Sequence, residues 1–159
     1  MEAALVAGHC TAIAAPVSRL ADMRTGFHGR KTHDEILPET ITVEPFTPVY
    51  RQGDPRWAAI IDWTVHALIL AEDADITQAN AAALRGDGRP DQRYLLGGTP
   101  GVGRLLDLDD GWVFRVIEAV GNYQAMFDRD LSLGSPFQLP RGRNALWTRG
   151  GLMFAPTIR

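Results

Sequence analysis

Pro38, Pro45 and Pro48 restrict the fold of this chain more than any other residues. Each fixes its own φ, removes a backbone N–H and pushes the residue before it away from helix. Helix is therefore excluded here, and so is a place in the middle of a sheet. The neighbouring stretches Glu35-Ile36-Leu37-Pro38 and Thr40-Ile41-Thr42-Val43 are β-branched and extended in character. An edge strand or an extended crossover between two bodies fits such a segment, and the crossover is the preferred reading.

Upstream, Glu2 to Ala7 reads as the last turns of a helix, stopped by Gly8. Cys10 to Ala15 is an apolar run of strand length. Pro16 suits the first turn of a helix carrying Val17, Leu20 and Met23 on one face, and Gly26 to His33 reads as a polar loop. A domain rarely begins in mid-helix, so the beginning is read as a cut.

Downstream, Asp54-Pro55-Arg56-Trp57 is a strong helix start, an Asp cap followed by proline at the first position. Trp57, Ile60, Ile61, Val65, Leu68 and Ile69 keep helical spacing, with enough extra apolar residues to predict packing on more than one side. A second helix is expected from a Thr77 cap through Leu84 to a stop at Gly86, and another turn over Gln92 to Leu96. Asp109 or Asp110 should cap a long helix presenting Val113, Val116, Ile117, Val120 and Phe127. The Gly- and Pro-rich tail from Leu131 is expected to dock through Phe137, Leu146, Trp147, Met153 and Phe154.

Composition narrows the function classes. With 159 residues and 45% hydrophobic content, the chain suits a soluble globular body. A net charge of −3 supplies no basic face for nucleic acid or anionic membrane. No apolar run reaches the roughly 18 residues of a membrane span. Met1 to Gly8 lacks the basic start and apolar stretch of a signal peptide.

No motif in the sequence demands catalysis. Gly97-Gly98-Thr99-Pro100-Gly101-Val102-Gly103 is followed by Arg104-Leu105, where a phosphate loop needs Lys and Ser or Thr, so it reads as a plain loop. Cys10 is a lone cysteine, read as a free and mostly buried thiol, and with His9 alone it cannot complete a metal site. His28 and His33 lie near Asp34 and Glu35 but without helical i, i+4 geometry, so a solvated loop is preferred to a metal site. His66, inside the apolar helix, is expected to be a partly buried histidine with one polar partner. Glu72, Asp73 and Asp75 are assigned to capping and solvation, and Arg141, Arg143 and Arg149 to exposed guanidinium groups. No activated nucleophile, cofactor motif or metal set emerges, so no enzyme is expected.

Several motifs then occur in one register. Leu37-Pro38-Glu39-Thr40-Ile41 precedes Glu44-Pro45-Phe46-Thr47-Pro48-Val49-Tyr50-Arg51-Gln52-Gly53-Asp54-Pro55-Arg56-Trp57. After these come Ala119-Val120-Gly121-Asn122-Tyr123, Gly134-Ser135-Pro136 and Arg141-Gly142-Arg143-Asn144-Ala145-Leu146-Trp147. Gly150-Gly151-Leu152 and Ala155-Pro156-Thr157-Ile158-Arg159 close the series. The series resembles the carboxy-terminal half of periplasmic solute-binding proteins of general L-amino-acid ABC transporters, the family 3 solute-binding proteins.

The resemblance implies an α/β, partial type II periplasmic-binding-protein fold, helix-rich with a few short strands. Residues 1–45 would be the end of lobe two (strand-helix-strand), 46–54 the hinge-return crossover, and 55–159 the lobe-one closing helices with a docked tail. It implies an L-amino acid as ligand, a membrane permease of the ABC type as partner, and a periplasmic setting. In the family the strand at Cys10 reads Gly-Arg-Cys-Asp, and an Asp further on holds the ligand's ammonium group. Here Gly8-His9-Cys10-Thr11 replaces the first, and Pro16 occupies the position of the acid. The family's cysteine pairs with one earlier in lobe two, which leaves Cys10 free.

A truncated binding component, unable to hold ligand alone, is the leading expectation. The alternative is a non-transport interaction protein, or a remnant that keeps the helical half as a scaffold. Either a second chain supplying the missing half or a self-dimer would cover the exposed helices.

Overall fold

Gly8 ends the first helix as its position in the sequence requires. Helix α1 spans Glu2–Val6, and Gly8 turns left-handed at φ +74. Its N–H reaches the Leu5 carbonyl while His9 N–H reaches that of Ala4, a Schellman arrangement that satisfies carbonyls the helix would leave orphaned. The computed structural model describes residues 1–26 and 34–158. They group into two units, Met1–Thr47 with Asp130–Pro140, and Pro48–Arg129 with Arg141–Arg159.

In the first unit, residues 10–15 run without regular structure. The expected strand there is corrected: a strand exists only through ladder bonds to a neighbour, and no described residue gives residues 10–15 a backbone partner. Helix α2 (Val17–Gly26) follows Pro16 and buries Ala21 and Met23, whereas Val17 stays 49% exposed. The Arg24 guanidinium donates to the carbonyls of Phe137 and Gln138, fastening 130–140 to α2. Residues 42–50 carry neither helix nor strand, in keeping with their prolines.

The second unit is built on helix α3 (Pro55–Asp73). The Asp54 carboxylate accepts the Trp57 N–H at 2.9 Å, and Pro55 stands where a donor would have been left over, as the sequence predicts. Around α3 lie α4 (Ala81–Asp87), α5 (Pro90–Leu95), α6 (Trp112–Val120) and α7 (Tyr123–Asp130). Ala67, Leu68 and Ala71 of α3 join Ile76, Leu96, Val113 and Ile117 in the main core. Ile69 faces Leu146 and Ala155 instead, so α3 is packed on two sides as its apolar excess requires. Each large buried aliphatic contributes about 1.5–3 kcal/mol. Exposed ion pairs such as Arg56–Asp107 contribute about 0–1 kcal/mol, so the core and not the surface holds these helices.

Several helix boundaries differ from the sequence reading. Helix α4 starts at Ala81 because Asn80 Oδ1 accepts the Thr77 N–H and Asn80 Nδ2 donates to Asp75 O, which makes the preceding turn an independent unit. Gly86 lies inside α4, and Gly88 ends it. The expected long helix is two helices, because Gly121 turns left-handed at φ +81. Buried Asn122 then takes over both sides of the break: its Oδ1 accepts Ala125 N–H, and its Nδ2 donates to Ile76 O at 2.8 Å.

Among the described residues there is no β-strand, and the one isolated bridge pairs Leu146 with Met153. The expected helix-rich character is found, whereas the few short strands expected with it are not found among the described residues. The tail docks through Leu146, which is buried, and through half-buried Met153. Trp147 and Phe154, expected to dock as well, remain 58% and 65% exposed and pack edge to face on each other. Trp147 opens the short 3₁₀ turn Trp147–Arg149, and its ring is covered in part by that of Phe154.

Candidate functional site

The position singled out by the resemblance lies at the start of α2. Pro16 is exposed, and its carbonyl accepts the Leu20 N–H as the helix begins. The proline ring carries neither charge nor acceptor, so nothing at this side chain can partner an ammonium group. Ala15, the residue before it, lines an open concavity of about 510 Å³ with Ile13 and Met23 on its apolar side. Glu2 and Arg19 are its ionic groups, and Arg19 is already engaged with Asp22 at 2.7 Å in an exposed pair. Ligand sites normally bury most of the ligand among a few convergent polar groups, and this open hollow has no such convergence. Cys10 is free and half-buried, more exposed than the sequence reading expected.

The most organised polar group lies in the second unit, and it corrects two sequence assignments. Glu72 is not a solvated helix-end acid: its side chain is 2% exposed, and both carboxylate oxygens accept from Arg141 Nη2 at 2.9 Å. Arg141 is not an exposed guanidinium either. Its Nη2 and Nε also donate to Asn144 O, and its plane lies near the rings of Tyr123 and Phe127 at 5.3 and 5.2 Å. Burial pushes the Tyr123 phenol upward, with nearby Glu72 adding to the rise and Arg141 opposing it. Arg141 Nη1 is buried with no hydrogen-bond partner among the described residues.

The missed signal for Glu72 was positional. It follows Leu68 by four residues and Ile69 by three, on the buried stripe of α3. Nothing local marks Arg141, which sits between Pro140 and Gly142 in a segment without periodicity. With both oxygens of Glu72 held by one guanidinium, the pair is a structural clasp between α3 and the tail.

The glycine run is also turned inward. Asp110 Oδ1 accepts the N–H groups of Gly101 at 2.9 Å and Gly103 at 3.0 Å, so the loop binds the protein's own carboxylate where a phosphate loop would hold an anion. Those two amides, Gly103 first, hold the Asp110 carboxyl below its ordinary value of 3.8. A carboxyl depressed in the folded state stabilises the fold above that ordinary value, and the contribution is lost as pH falls through the lower, folded one. Asp91 and Asp109 are lowered too, chiefly by Arg89 and Arg115, so acid sensitivity of the whole chain is not specific to Asp110. The comparison that isolates it is Asp110→Asn. Thermal unfolding by circular dichroism should show the variant less stable at neutral pH, with the gap to the parent closing as pH drops below about 4.

His66 is half-buried against Trp63, with ring centroids 5.3 Å apart, and its Nδ1 has no partner among the described residues. The one polar partner expected for this ring is not found at Nδ1 among the described residues. His28 and His33 lie outside the described residues. Within those residues no group of three or more His, Cys, Asp or Glu could hold a metal ion, and no helix is long and apolar enough to cross a membrane.

Comparison with known proteins gives a consistent picture, although no family model matches. The general L-amino acid-binding periplasmic protein AapJ of Rhizobium johnstonii is 40% identical over 161 residues, which cover 100% of this chain and 47% of AapJ. The putative amino-acid ABC transporter-binding protein YhdW of Escherichia coli is 36% identical over 98% of the chain and 46% of its own length. The glutamate/glutamine/aspartate/asparagine-binding protein BztA of Rhodobacter capsulatus is 38% identical over 96% of the chain and 45% of its own length. Among solved structures, an ABC transporter periplasmic binding protein from Brucella ovis with glutathione bound is similar at a TM-score of 0.86 and 41% identity. That match covers 99% of this chain and 50% of the Brucella chain. The chain spans about half the length of the curated relatives it matches.

Proposed function

The chain is homologous along its whole length to the amino-acid-binding periplasmic proteins of ABC transporters, and from that premise we propose that it is part of the ligand-binding component of an amino-acid importer. The observation that carries this reading is identity of 36–41% sustained over 96–100% of the chain. The role is to bind and present, with no bond made or broken. Its ligand is an L-amino acid, its membrane partner an ABC permease, and its setting the periplasm, each by extension from the relatives.

In this reading residues 1–45 close lobe two, 46–54 return across the hinge, and 55–159 supply the closing helices and tail of lobe one. Pro16 stands where the family places its ammonium-binding acid. An ammonium group taken out of water without a carboxylate loses several kcal/mol of support. An open hollow beside that proline, rather than an enclosed polar pocket, supports a chain that does not retain an amino acid by itself.

Titration calorimetry of the purified chain with glutamate, aspartate, glutamine and histidine is the direct test. No saturable heat is expected at micromolar ligand. A defined stoichiometry with any of the four would overturn the proposed loss of binding at Pro16.

A further inference from the structure

We draw no further inference here: the strongest candidate, the outward apolar patch of the tail formed by Trp147, Leu152 and Phe154 beside the exposed Arg143, carries none because nothing in the structure shows what covers it.

Discussion

Replacing Arg141 by methionine should lower the stability of the chain by about 3–5 kcal/mol, visible as a large drop in the thermal midpoint. The value follows from what remains after the change. Glu72 is 2% exposed, and Arg141 is the partner of both its oxygens, with Arg149 no nearer than 4.0 Å. Methionine would restore part of the contact with Tyr123 and Phe127 but would leave the carboxylate charged, buried and almost unpaired. Arg143→Met serves as the control, because Arg143 is exposed and should change stability by no more than about 0.5 kcal/mol. The double variant Glu72→Leu with Arg141→Met should recover much of the loss, since an apolar pair of similar volume often replaces a buried ion pair at little cost. A single-variant effect under about 1 kcal/mol would mean that other contacts hold the tail.

Gly97→Ala is expected to be nearly as damaging, at about 2–4 kcal/mol. A Cβ at Gly97 would lie 1.9 Å from the Asp110 carbonyl oxygen, and the residue sits at φ +70. Neither backbone can yield cheaply, because Asp110 is also tied to Gly101 and Gly103. Gly86→Ala makes the contrasting case. That glycine is inside α4 with nothing within 4 Å of an added Cβ, so alanine should stabilise the chain by about 0.5–1 kcal/mol through helix propensity alone. Urea unfolding of the two variants side by side would show opposite signs. The same sign for both would remove the packing explanation.

The sequence was most informative where local chemistry decides structure. The cap at Asp54, the stop at Gly8 and the exclusion of helix from the proline-rich segment around residues 38–48 are set by dihedral limits and by hydrogen bonds within a few residues, and these are found in the structure. The reading failed where a distant partner decides. A strand over Cys10–Ala15 has no neighbour to pair with among the described residues, and Asp110 turns out to serve a glycine loop instead of a helix end. Glu72 and Arg141 were assigned to solvent because each looks ordinary among its sequence neighbours. Their pairing depends on the docking of a tail without periodicity. The position proposed for the ligand's ammonium at Pro16 is legible only through resemblance, since no local pattern in the sequence marks a proline that opens a helix as a ligand position.

The span of the clasp has a kinetic consequence. Glu72 and Arg141 are separated by 69 positions, and a contact across so long a stretch of chain carries a loop-closure cost before it is gained, so it is expected to form late in folding. Its energy therefore belongs to the finished molecule and hardly at all to the route that leads there. It slows escape from the native state more than it speeds arrival, and acts as a latch on the closed tail.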